Sequence, residues 1–271
     1  MGARLLRYAA NAALLSEYPY WAEVLRKVKA LPQDKDYTGV TPYREVLQHM
    51  EVLSQAQTRD LLGVVHRAYG TEINDLLLSA LSLTLLEWMG GGSVVIGLEG
   101  HGREELFEDL DTSRTLGWFT SLYPVALQAT PGADMDQQII ATKENLRDIP
   151  HKGIGYGILR YLAADKSVRA AMEAPFDAIV FNYLGEFDGA YSPSGGLFSQ
   201  AAESMGSPIR PENPFEHTLS LNSLVVQGVL RISWSYDSNR YEEETIRELC
   251  ITQVIFAWDA FFAFLARKSR F

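Results

Sequence analysis

The sequence predicts an α/β fold, a mixed β-sheet flanked by helices, and three observations carry that reading. Continuous apolar, β-branched runs at 93–99, 122–128 and 176–184 have the length of buried strands. Apolar residues recur at helical spacing over 71–89, 134–148 and 242–268. The two patterns interleave without strict alternation, as a mixed sheet requires and an all-parallel one does not.

Taken in order, residues 3–28 predict one or two helices, with Leu14, Tyr18, Trp21 and Leu25 on one face and Pro19 marking a restart. Residues 29–43 are polar and carry Pro32, Gly39 and Pro42, which reads as a crossing loop. A strand over 43–53 follows, then Ser54 and Gln57 at the spacing of a reciprocal capping box, opening a helix to about Ala68. The helix over 71–89 is apolar nearly all round and ends at Gly90-Gly91-Gly92. Asp134 gives the next helix an acidic start that suits the helix dipole. Beyond a Gly/Ser/Pro-rich stretch at 189–214, residues 219–236 predict a hairpin turning at Gln227-Gly228. The last helix opens on three glutamates and ends near Arg267 and Lys268, the charge order the macrodipole favours. There is no internal repeat.

Composition removes several function classes. Against 34 Asp+Glu stand 24 Lys+Arg, a formal charge of −10 with no basic run, so nothing invites a nucleic acid. The longest apolar stretches, 76–89 and 254–266, fall short of the ~20 residues a bilayer span needs. The first fifteen residues read as a helix, not a signal peptide, because Asn11 breaks the apolar block. Cys250 lies in an apolar helical pattern and reads as a buried, inert thiol. The five histidines show no HExxH or Cys/His spacing for a metal, and no G-x-S-x-G elbow supports a serine hydrolase.

Four polar or glycine-rich clusters are candidates for chemistry. EGHGRE at 99–104 closes a buried strand, where Glu99 suits a general base, His101 an acid or base, and Arg103 an anion clamp or a partner for a carboxylate. A polar turn with an internal ion pair fits the same residues. RTLGWFTSLYP at 114–124 sets Trp118 and Phe119 before a strand, as a pocket floor or a packed crossover. PHKGIGYG at 150–157 follows a helix and lacks the strand–GxGxxG–helix context of a nucleotide loop. In FNYLGEFD at 181–188, Asn182 and Tyr183 are donors for an oxyanion or for buried backbone.

With NDLLLSA at 74–80, these clusters occur in the order found in the epimerization domain of nonribosomal peptide synthetases, a relative of the condensation domain, and the chain resembles that domain. The resemblance implies a chloramphenicol-acetyltransferase-like lobe. It implies an aminoacyl or peptidyl thioester substrate, carried on the phosphopantetheine of a carrier protein, whose Cα proton is removed and returned. Glu99 would then be one acid/base, oriented or tuned by Arg103. Asn182 and Tyr183 would line the site, with Tyr183 stabilising the enolate or moving a proton. His101 would hold its loop, and Trp118 and Phe119 would be structural. No metal and no diffusible cofactor is implied, and the location would be cytoplasmic.

The family's HHxxxDG signature, which supplies a histidine from the N-terminal lobe, does not occur in this sequence. Residues 1–42 are therefore read as lead-in helices and crossover and 43–271 as the C-terminal lobe, with the N-terminal lobe a missing partner. The expectation is a fragment, split product or truncated form, nearly inactive alone, with an exposed apolar face where that lobe belongs. A non-catalytic module that binds the carrier protein or the other lobe is the alternative. A condensation-type acyltransferase fits less well, because its motifs differ from EGHGRE.

Overall fold

The computed structural model describes residues 2–65, 69–107, 109–129, 134–176, 178–187, 203 and 206–268. The lead-in is three short helices: α1 (Gly2–Tyr8), α2 (Ala12–Leu15) and α3 (Tyr18–Arg26). Asn11, which broke the apolar block in the sequence, caps α2 by accepting from the Ala13 amide at 2.8 Å. Pro19 sits in the first turn of α3, where its missing N–H costs nothing. The crossing loop is tied down late in the chain: Arg240 donates to the carbonyls of Tyr37 at 2.7 Å and Gly39 at 3.0 Å.

Strand β1 (Val46–Val52) is shorter than the sequence pattern, because Tyr43–Glu45 form a 3-10 turn. The Ser54–Gln57 capping box forms and opens α4 (Gln55–Asp60), which runs into a π-helical turn at Leu61–Val65. The expected end at Ala68 lies outside the described residues. Next come α5 (Ile73–Trp88), β2 (Ser93–Gly100), β3 (Ser121–Gln128) and α6 (Met135–Arg147). Two helices that the sequence pattern does not announce follow, α7 (Ile154–Leu162) and α8 (Lys166–Met172). The remaining elements are β4 (Ile179–Glu186), the hairpin β5 (Leu219–Val226) and β6 (Val229–Asp237), and α9 (Glu243–Lys268). Asp188 and most of the 189–214 stretch lie outside the described residues.

Six strands form one mixed sheet in the order β1-β6-β5-β4-β2-β3. Strand β4 runs parallel to β2 and β5, and the other neighbours are antiparallel. Helices α5 and α9 lie against one face. Leu76, Leu77, Leu78, Leu81 and Leu85 of α5 are at most 1% exposed, each side chain stabilising by about 1.5–3 kcal/mol. Cys250 of α9 is fully buried there, and burial pushes its thiol up to about 12, so it is inert at neutral pH. The outer carbonyls of edge strand β3 are capped by side chains, Asn145 donating to Ala126 at 3.0 Å and Gln138 to Gln128 at 2.8 Å.

The opposite face differs from the sequence expectation. A row across the sheet runs Glu99, Asn182, Asn222, Ser233 and Met50, polar at its centre, because strand alternation turns Leu98, Phe181, Leu221, Ile232 and Trp234 toward the helices. Exposed apolar residues on this face, Met50, Val52 and Leu184, lie at its margins. Among the described residues no helix is long and apolar enough to cross a membrane.

Candidate active site

Glu99 is the penultimate residue of β2, and Asn182 stands beside it where β4 runs parallel. The Asn182 Nδ2 donates to Glu99 Oε2 at 2.8 Å, joining two motifs 83 residues apart. Oε1 accepts no hydrogen bond among the described residues. Burial raises the Glu99 carboxyl above its ordinary value, while the charge of His217, on the approach to β5, pulls it back. A half-buried carboxylate held by one amide and kept easy to protonate is what a general base facing a weak carbon acid requires.

These groups line a cavity of about 610 Å³ shared with His101, Glu104, Lys152 and Tyr183. Its far walls are the start of α5, with Asn74 and Asp75, and the end of α6, with Leu146 and Arg147. NDLLLSA thus contributes its first two residues to the cavity and its leucines to the core. Asp75 accepts from the Glu72 amide at 2.7 Å, which fixes the helix start. Lys152, Arg147 and His217 carry no role in the sequence reading; only the motif membership of Lys152 signals it.

Tyr183 reaches the cavity from the other side of the sheet. Asn182 and Tyr183 are consecutive in β4, so alternation sends Asn182 to the face of Glu99 and Tyr183 to the helix-covered face. Burial pushes the Tyr183 phenol up to about 12, so it stays protonated at neutral pH and keeps an O–H to donate. A bulge follows it, between Tyr183 and Glu186.

His101 is doubly engaged. Its Nδ1 accepts from the Arg103 amide at 3.0 Å and its Nε2 lies 3.2 Å from Glu104 Oε1, so the ring braces its own turn. Both ring nitrogens thus face partners within their own turn.

Two expectations change. Arg103 does not orient Glu99: its guanidinium donates to the carbonyls of Thr112 and Gly117, the latter at 3.3 Å, and stacks 4.1 Å above the Phe119 ring. It clamps the loop before β3, because it leaves the chain beyond Gly102, whose φ of +63° redirects the backbone. A Cβ on Gly102 would sit 1.6 Å from the Phe119 carbonyl oxygen. Trp118 is not packed. It is 91% exposed, and with Phe119 it lines a separate cavity of about 600 Å³ beside α1 and α7 that shares Thr120 with the first. Of the six site residues the sequence nominates, the structure gathers Glu99, His101, Asn182 and Tyr183 and sets Arg103 and Trp118 outside. Among the described residues no group of three or more His, Cys, Asp or Glu is placed to hold a metal.

The condensation-domain family model matches residues 3–254, and the chain belongs to that family. Within it, the chain is similar to the epimerization domain from the third module of tyrocidine synthetase B, 38% identical with a TM-score of 0.88, covering 98% of this chain and 59% of that one. Tyrocidine synthase 2 of Brevibacillus parabrevis is 42% identical over 91% of this chain, and tyrocidine synthase 1 of the same organism 38% identical over 90%. The chain spans 7% and 23% of the length of those two proteins. The X-domain from teicoplanin biosynthesis, 17% identical with a TM-score of 0.65 over 96% of this chain and 57% of that one, shares the fold.

Proposed function

We propose that this chain carries one wall of an epimerization site acting on an aminoacyl or peptidyl thioester. The observation that carries the reading is the Asn182–Glu99 contact at 2.8 Å, which places a half-buried carboxylate at the cavity with one oxygen bound by none of the described residues. In this reading Glu99 Oε1 takes the Cα proton. The thioester acidifies that C–H, and the electron pair moves to the carbonyl oxygen as an enolate. Tyr183, a protonated phenol, is the donor for that oxygen. Return of a proton to the opposite face of Cα completes the inversion, and it needs a second acid. His101 does not supply it, because both its nitrogens are bound. We assign that acid to a second lobe bearing HHxxxDG, which makes that lobe and a carrier protein the partners. The substrate arrives on the carrier's own phosphopantetheine, the chain binds no cofactor of its own, and the reaction takes place in the cytoplasm.

Deuterium wash-in at Cα of an L-aminoacyl carrier protein in D₂O tests the reading. Exchange with the chain plus the second lobe, abolished by Glu99→Gln, is the expected result. Absence of exchange from that mixture leaves the non-catalytic binding module as the function.

A further inference from the structure

PHKGIGYG takes no part in the chemistry above, yet its backbone is held in an unusual state. His151 and Lys152 have φ of 43° and 50°, in the left-handed region that residues with a Cβ rarely adopt. Gly153 continues it at 85°, so close to β3 that a Cβ there would lie 2.2 Å from the Tyr123 ring. Two side-chain contacts offset that strain. His151 Nδ1 lies 2.7 Å from Glu17 Oε1, a carboxylate only 5% exposed that also accepts from Trp21 Nε1 at 3.1 Å. Lys152 Nζ lies 3.5 Å from Glu104 Oε2.

Glu104 is where this turn meets the candidate site. Its side chain is 14% exposed, and its other oxygen, Oε1, lies 3.2 Å from His101 Nε2. Because His101 Nδ1 accepts a backbone N–H, the ring hydrogen is on Nε2 and points at Glu104. One carboxylate therefore ties the turn after Glu99 to the turn at Pro150–Gly153. That tie matters because β2 ends at Gly100, and residues 101–106 have no ladder to hold them.

We propose that Glu104 is a positioning residue: by bridging His101 and Lys152 it fixes the turn that follows β2 and so aims the Glu99 carboxylate into the cavity. The geometric part stands on these contacts, and its effect on rate rests on the epimerization reading. Glu104→Ala removes both anchors. Glu104→Gln keeps an oxygen for the His101 Nε2–H but turns an amide NH2, itself a donor, toward Lys152, and so removes only the Lys152 anchor.

The test uses the full chain and two readouts. In the chain alone, Glu104→Ala moves the side-chain carboxyl carbon resonance of Glu99 and converts His101 from one Nε2–H tautomer to a mixture, whereas Glu104→Gln preserves the His101 signal and moves Glu99 less than Glu104→Ala does. In the deuterium assay with the second lobe present, Glu104→Ala lowers the saturated rate by about 10- to 100-fold, the cost of a sub-ångström to 1 Å misplacement, with substrate affinity unchanged. A Glu99 resonance that stays put in Glu104→Ala overturns the proposal, whatever the rate does. If Glu104→Ala does not fold, His101→Ala and Lys152→Met remove one anchor each, and an unmoved Glu99 in both overturns it equally. A Glu99 resonance that moves while the wild type exchanges no Cα hydrogen leaves the anchor standing and removes the epimerization reading.

Discussion

Glu99 holds a charge in a place that resists charge. Its carboxyl is raised by burial, so above that raised value the folded protein carries an ionised group the unfolded chain would hold more easily. The sign follows: this group stabilises the fold as pH falls through its folded value and costs stability above it. Glu99→Gln should therefore raise the melting temperature at pH 8, and the gain should vanish below the ordinary carboxylate range. Melting curves at pH 8 and pH 4 check this. Asn182→Ala removes the amide that favours the carboxylate, so the Glu99 midpoint should rise further, and exchange should fall by about 10- to 100-fold as orientation is lost. Carbon-detected titration of Glu99 checks the first part. At this scale the sequence is informative about identity and silent about direction. Glu99 and Asn182 both stand out in it, but that they touch depends on the parallel register of β2 and β4, which no local pattern encodes. Arg103 illustrates the limit: close to Glu99 in sequence, it turns away because Gly102 redirects the chain.

At the scale of elements, local signals and observed structure agree wherever the signal is stereochemical. The Ser54–Gln57 box and the turn at Gln227-Gly228, with φ of 55° and 68°, stand where the sequence places them, and Asp134, read as an acidic helix start, caps the helix from the position before it. Ser54→Ala should cost about 1 kcal/mol, as caps do, measurable by denaturant titration. Helices α7 and α8 are illegible in the sequence because each is short and α7 begins inside a glycine-rich motif that breaks helical periodicity. Gly102→Ala is the severe change among the loops. With its Cβ 1.6 Å from the Phe119 carbonyl, the loop must move, and the Arg103 stack over Phe119 with it. The expected outcome is loss of protection at the amides of 112–120 in hydrogen exchange, with the strands unaffected.

The cavity takes Tyr183 and the start of α5 from the helix-covered side and Glu99 and Asn182 from the sheet face that α5 and α9 leave open. Glu99 and Asn182 stand in a polar row there, continued by Asn222 and Ser233, while apolar side chains fill the other face. An exposed apolar face is expected where a second lobe belongs, whereas the centre of this sheet face is polar, because the sequence alone does not tell which face each residue of a strand takes. On the proposed reading each lobe would supply one acid/base, so neither the second lobe nor this chain alone should invert Cα at full rate.

The most direct measurement is Cα deuterium wash-in on an L-aminoacyl carrier protein, run with wild type and with Glu99→Gln, each with and without the HHxxxDG lobe. The account predicts full exchange only for wild type with the lobe present and none for Glu99→Gln in either condition. Undiminished exchange by Glu99→Gln with the lobe present would contradict it, because the base would then lie elsewhere.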